Sequence, residues 1–382
     1  MTADRRVNDL ASACDLTKAR RIVIKIGSAL LVDEEHGTVH RRWLAALAAD
    51  IAALRARGQQ VVIVSSGAIA VGRRHLGFAD GNLRLEEKQA AAATGMMRLA
   101  HAYQEELALF DLTVAQVLLT LHDSENRRRY INARNTLETL LRLGAVPLIN
   151  ENDTVATDEI RLGDNDRLGA RVAAMISADT LVLMSDVDGL YSADPRTDPD
   201  AEIIPIVEHI TPEIEAMAGR AGSHVGTGGM VTKLAAAKIA MGAGCRMVIA
   251  NGRELHPVAR IEGGAAVTWF LPQASPRTAR KHWIAGTLNI SGVLVVDDGA
   301  LKALRGGKSL LPAGVVAVSG KFEKGDAVAV RSADNREVAR GLIAYSAADA
   351  RLLMGHKSSE IEDILGYRGR DELIHRDDLV LS

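Results

Sequence analysis

Only two of the 382 residues are cysteine, Cys14 and Cys245. So few thiols exclude a disulfide framework and a four-thiolate zinc site, and they fit a reducing cytoplasm. Long apolar runs are also missing. No stretch approaches the roughly 18 residues that a membrane span needs. The first residues mix Arg, Asp and Ala without an apolar core, so they do not read as a secretory signal. Residues 1–19 are expected to be a poorly ordered N-terminal extension. A dominant charge is lacking too. Lys and Arg number 46 against 48 Asp and Glu, a net charge of −2. No global field therefore favours nucleic acid or an anionic membrane. The rest is ordinary globular composition, 47% hydrophobic and 25% charged. The length suffices for two domains with separate cores.

Several familiar catalytic patterns are absent as well. There is no G-x-S-x-G nucleophile elbow, no H-E-x-x-H and no Cys/His ligand cluster. The eleven histidines are scattered. The Walker pattern needs a Gly-Lys pair and the dinucleotide pattern needs G-x-G-x-x-G; neither occurs in the chain's glycine-rich segment. That segment, Gly226-Thr-Gly-Gly-Met-Val-Thr-Lys233, runs straight into Leu-Ala-Ala-Ala-Lys-Ile-Ala. Glycines let backbone N–H groups converge on an anion. A helix starting there points its positive end at the same place, and Lys233 adds a full charge. The segment suits a phosphate, although a glycine-rich loop capping an ordinary helix has the same pattern.

Up to about residue 270, short apolar strands alternate with helical patterns. Strand signals fall at Arg21–Ile26, Val61–Val64, Val114–Leu119, Val146–Ile149, Thr180–Met184 and Arg246–Ile249. Helical spacing falls at 40–57, 85–109 (with a break at Gly95), 132–143, 166–176 and 231–241. This alternation predicts an α/β fold, a mostly parallel open sheet covered by helices on both faces. The two prolines of Leu271-Pro-Gln-Ala-Ser-Pro-Arg277 mark a linker over 271–279. Beyond it, turn-bounded strand signals predict a small β-rich domain over 280–382. From Arg277 onward Lys and Arg number 16 and Asp and Glu 14, so that domain is not strongly basic.

Open parallel sheets bind ligands beyond the carboxyl ends of their strands. The residues there are Lys25-Ile-Gly-Ser28, Ser65-Ser66-Gly67, Asn150-Glu-Asn-Asp153 and Ser185-Asp186, with Gly163-Asp-Asn165-Asp166 opening a helix. Each has a plainer alternative. Ser66, Asn165 or Asp166 could cap helices, and Asp153 or Asp186 could be loop residues. Lys25, flanked by isoleucines, is costly to bury without a partner. Two lysines, amide and hydroxyl donors and several carboxylates on one edge suit phosphoryl transfer, where the protein positions and neutralises.

At these residues the chain resembles the glutamate 5-kinases of the amino acid kinase superfamily, from about Arg20 almost to the end. The likeness rests on Val23-Ile-Lys-Ile-Gly-Ser28, Ser65-Ser-Gly-Ala-Ile-Ala-Val-Gly72, Pro147-Leu-Ile-Asn-Glu-Asn-Asp-Thr-Val-Ala156, Gly163–Asp166, Gly189-Leu-Tyr-Ser-Ala-Asp-Pro-Arg196 and Gly226–Lys233. From about Pro276 the chain resembles a PUA domain, through Arg280-Lys-His-Trp-Ile-Ala-Gly286 and Ile361-Glu-Asp-Ile-Leu-Gly-Tyr367. Ser28, Ser185 and Val231 stand where the family often has Thr, Thr and Ser.

The resemblance implies a catalytic domain over 20–270 that makes L-glutamyl 5-phosphate from ATP and L-glutamate, the first step of proline synthesis. It implies that Lys25 and Lys233 bracket the transferred phosphoryl group and that Asp166 orients them. Ser66, Asp153 and Asn165 would hold glutamate. Lys25, Ser185, Asp186, Thr227, Gly228, Gly229, Met230, Val231, Thr232 and Lys233 would hold ATP. Mg²⁺ would arrive with ATP and take no protein ligand. Proline inhibition, a homodimer or homotetramer and a cytoplasmic location are implied too. Two other classes fare worse. The near-neutral tail argues against RNA binding by the PUA-like domain, and the missing G-x-G-x-x-G argues against a nicotinamide dehydrogenase. A related kinase for another acid or a nucleotide is the runner-up.

Overall fold

The computed structural model of the chain describes residues 10, 12–33, 36–79, 81–155, 164–220, 229–287 and 290–381. It divides into two compact units. One takes in residues 1–125 and 133–276, the other 126–132 and 277–382.

The first unit is built on an eight-stranded sheet. Its strands, with a small hairpin counted in chain order, are β1 (Arg21–Ile26), the hairpin strands β2 (Val32–Asp33) and β3 (Thr38–Val39), β4 (Gln60–Val64), β5 (Val114–Leu119), β6 (Val146–Glu151), β7 (Thr180–Ser185), β8 (Ile206–Val207), β9 (Arg246–Asn251) and β10 (Val267–Phe270). The order across the sheet is β5-β6-β4-β1-β7-β9-β10-β8. All neighbours are parallel except β10 against β9. The central strands are buried on both faces, which is why they read as nearly unbroken Val, Ile and Leu.

Alternation along β1 sets up the two layers. Ile22, Ile24 and Ile26 join a core with Leu44, Leu47 and Ile51 of helix Arg41–Ala56 and Leu99 and Tyr103 of helix Leu85–Ala108. Lys25 faces the other way, towards helix Asp164–Met175, where a Cβ on Gly169 would lie 3.3 Å from the lysine Cβ.

Helix Leu85–Ala108 runs unbroken through Gly95, contrary to the expected interruption. Gly95 is there for a close crossing. A Cβ on it would lie 1.8 Å from the carbonyl oxygen of Ala68, in helix Ala68–His75. A Cβ on Gly72 of that second helix would lie 1.7 Å from the carbonyl oxygen of Ala91.

The N-terminal extension also departs from expectation, because residues 12–19 are packed. Leu16 is buried, Gln59 Nε2 donates to the carbonyls of Leu16 and Ala19 at 2.9 and 2.6 Å, and Arg246 donates to those of Ala13 and Asp15 at 2.5 and 2.7 Å. Residues 1–9 and 11 lie outside the described residues.

The second unit has a five-stranded sheet, β11 (Ile290–Val296), β12 (Val315–Gly320), β13 (Ala327–Ser332), β14 (Glu337–Leu342) and β15 (Leu379–Leu381), in the order β12-β11-β13-β14-β15. Only β11 and β13 pair in parallel. Leu294, Val328, Val330, Leu353 and Ile374 are among its core residues. Ile131, from the 126–132 segment, packs with Ala327 and Leu342 of the same unit. Sequence patterning gave no sign of that segment's membership. Among the described residues, no helix is long and apolar enough to cross a membrane.

Candidate active site

Strands β1, β4, β6, β7 and β9 are parallel, so their carboxyl ends share one edge of the sheet. Lys25 sits at the end of β1, and helix Asp164–Met175 brings Asp166 to it. Lys25 Nζ lies 2.5 Å from Asp166 Oδ1. Lys233, in the first turn of helix Met230–Gly242, places its Nζ 3.5 Å from Asp166 Oδ2. Thr232 Oγ1 lies 3.0 Å from the same Oδ2 and 2.8 Å from the carbonyl oxygen of Gly229.

The whole group is buried: Lys25 is 6% exposed, Lys233 4% and Asp166 0%. Burial opposes charge on Asp166, yet Lys25 and Lys233 outweigh it and hold the carboxyl below the ordinary carboxylate range. Burial also lowers the Lys233 ammonium from its usual value, against the pull of Asp166. The result is one carboxylate clamping two desolvated cations at the start of two helices, whose dipoles add positive potential there.

The second cluster follows β4. Gly67, at φ 96°, turns the chain into helix Ala68–His75, and a Cβ there would lie 2.7 Å from Val32 Cγ2. Gly67 is the N-cap residue and no side chain caps that helix, so Ser66 is not a cap. Asn165 Nδ2 instead donates to Ser66 Oγ at 2.9 Å and to the Ser65 carbonyl at 3.1 Å. Beneath them the buried Tyr103 hydroxyl lies 3.3 Å from Ser65 Oγ. Asp153 follows β6, the parallel neighbour of β4. It is 6% exposed, and burial pushes its carboxyl up to about 6. A buried acid with that shift suits a cationic partner.

The third cluster follows β7 and β9. Ser185 Oγ donates to Asp186 Oδ1 at 3.0 Å. Gly229, Met230, Val231 and Thr232 lead into Lys233, with Val231 exposed in the first turn. Thr227 and Gly228 lie outside the described residues, as does Gly163. Sequence reasoning missed the end of β9, Asn251-Gly252-Arg253, where Arg253 approaches Asp186 Oδ2 at 3.9 Å. The signal was available: it is one more polar tripeptide closing an apolar strand. Trp43 and Tyr103 were missed because nothing local marks a helix residue that reaches a distant loop.

The sequence profile of the "Amino acid kinase family" matches residues 20–251, and that of the "PUA domain" matches residues 292–365. A glutamate 5-kinase of Paramagnetospirillum magneticum is 66% identical over 96% of this chain and 99% of its own length. One from Rhodospirillum rubrum is 63% identical over 94% of this chain and 96% of its own. Among solved structures, a carbamate kinase from Giardia lamblia bound to AMP-PNP covers 68% of this chain and 100% of its own. Its TM-score is 0.50 at 16% identity, a likeness of fold alone.

Proposed function

The chain belongs to the amino acid kinase family, and from that premise we propose that it transfers the γ-phosphoryl group of ATP to the side-chain carboxylate of L-glutamate, giving L-glutamyl 5-phosphate. The observation that carries this reading is the buried Lys25–Asp166–Lys233 cluster at the carboxyl ends of parallel strands.

The acceptor needs no general base. A glutamate side chain, with a pKa of about 4.3, is already ionised at neutral pH. The barrier is the approach of one anion to another. Lys25 and Lys233 offset that repulsion and stabilise the charge on the phosphoryl oxygens in a site that excludes water. Asp166 holds both ammonium groups in place. Asp153 receives the substrate ammonium, while Ser66 and Asn165 bind its other polar groups. Ser185, Asp186 and the segment from Thr227 to Lys233 hold the nucleotide.

Among the described residues no three acidic, histidine or cysteine side chains converge as a metal cage. Mg²⁺ would come with ATP, held by triphosphate oxygens and water. When bound, it offsets phosphate charge.

We assign residues 1–19 to an extension, 20–270 to the catalytic domain, 271–279 to a linker and 280–382 to the PUA-like domain; the division between units after Pro276 supports the linker. Proline inhibition at the glutamate pocket, a homodimer or homotetramer, a cytoplasmic location and a PUA-like domain that does not bind RNA complete the reading. The family resemblance supports the first two, the two free thiols the third, and the near-neutral tail the last.

The test is ADP release with Mg-ATP and glutamate, N-acetylglutamate, aspartate or no acceptor, with hydroxylamine present to trap acyl phosphate. Glutamate-dependent hydroxamate is expected. Turnover with a different acceptor would overturn the roles of Ser66, Asp153 and Asn165.

A further inference from the structure

The end of β9 carries an arginine that the chemistry above leaves unused. Its backbone is fixed from several sides. Gly252 N–H donates to the Ser185 carbonyl at 2.8 Å, and the Gly252 carbonyl accepts from the buried Trp43 indole at 2.6 Å. A Cβ on Gly252 would lie 2.6 Å from Leu30 Cδ1 and 3.3 Å from Met184 Cβ. Asn251 Oδ1 accepts the Arg253 N–H at 3.0 Å. Farther along, buried Asp50 lies 2.9 Å from His256 Nδ1 and accepts the Val258 N–H at 2.9 Å. The chain around Arg253 is therefore held from helix Arg41–Ala56 and from β7 at once.

The Arg253 side chain is 68% exposed, and its ionic partner among the described residues is Asp186, at 3.9 Å. A pair so long and so exposed contributes little to stability. The local charge balance gives the arginine a better use. Lys25 and Lys233 are matched by Asp166 and Asp186, so these four leave no excess positive charge for a triphosphate and a carboxylate. Arg196, whose field also reaches Asp186, is already held by Asp194 through Nε at 3.0 Å and a terminal nitrogen at 2.8 Å.

We propose that Arg253 is a nucleotide-binding residue that takes a phosphate of ATP, its guanidinium moving from Asp186 onto the phosphate oxygens. A guanidinium fork matches phosphate geometry, and a rigid backbone limits the entropy lost on binding. The proposal rests on the phosphotransfer reading of the site.

The experiment measures ADP binding by calorimetry to the full chain, to Arg253→Gln and to Arg253→Lys, with KM for ATP and for glutamate alongside. Arg253→Gln is expected to weaken ADP binding and raise KM for ATP about tenfold. KM for glutamate stays within about twofold, and Arg253→Lys falls between the two. ADP binding by Arg253→Gln within about twofold of the unaltered chain overturns the proposal. A glutamate KM that rises as far as the ATP KM overturns it as well. Failure of the unaltered chain to bind ADP would overturn the phosphotransfer reading, and this proposal with it.

Discussion

Lys25 Nζ lies 2.5 Å from Asp166 Oδ1, and neither residue exposes more than 6% of its surface. A buried pair of this kind is a poor source of stability but a costly one to break, since the survivor keeps its charge without a partner. Here two cations depend on one carboxylate. Asp166→Asn should therefore lower kcat by about 10² or more. It should also destabilise the fold by about 3–5 kcal/mol. Steady-state rates and a thermal melt read the two effects. A kcat within tenfold of the unaltered enzyme would remove Asp166 from its organising role.

Asp153 predicts a pH dependence with a definite sign. Burial raises its carboxyl to about 6, above the ordinary aspartate value of 3.8. A raised carboxyl binds protons more tightly in the folded chain, so between about 3.8 and 6 folded stability falls as pH rises. Above that window the ionised acid is a standing cost, on the order of 3 kcal/mol. The substrate ammonium relieves it. At saturating ATP, kcat/KM for glutamate should fall by about tenfold per pH unit below about 6. Asp153→Asn should remove this dependence and raise the melting temperature of the ligand-free protein at pH 7. A profile unchanged by that substitution would detach Asp153 from the ammonium.

Asn165 and Ser66 should behave as one unit, because a single amide nitrogen bridges Ser66 Oγ and the Ser65 carbonyl. Asn165→Ala and Ser66→Ala should each raise KM for glutamate about tenfold, and the double variant should be less than additive by about 1 kcal/mol. Full additivity would mean that the two side chains act separately.

Gly95→Ala should disturb the glutamate side of the site from a distance. The new Cβ would lie 1.8 Å from the Ala68 carbonyl, and a backbone atom cannot rotate away. Overpacking of this kind costs about 1–3 kcal/mol. Helix Ala68–His75 starts at Gly67, next to Ser66, so KM for glutamate should rise along with the loss in melting temperature. Met97→Ala, on an exposed position of the same helix as Gly95, is the control and should leave both unchanged.

Much of the fold was legible because the buried parallel strands are unbroken apolar runs ended by polar residues. Lys25 was readable because a lysine between isoleucines needs a partner, and its strand end pointed to where that partner lies. Gly95 misled because a glycine in a helix looks like a break when its real use, a helix crossing, depends on a carbonyl in another helix. Trp43 and Tyr103 lacked a local pattern, since their partners lie 209 and 38 residues away, at Gly252 and Ser65. The packing of Leu16 was hidden in a segment whose composition reads as disordered, because its carbonyls are held by Gln59 and Arg246 from the body of the unit.

The most direct test follows an oxygen atom. Glutamate labelled with ¹⁸O in its side-chain carboxylate is turned over with ATP, and hydroxylamine cleaves the product at its carbonyl carbon. If the carboxylate attacks the γ-phosphorus between Lys25 and Lys233, each phosphate released carries one ¹⁸O from glutamate. Phosphate free of the label would mean that ATP is being hydrolysed by water, and would contradict phosphoryl transfer to the carboxylate.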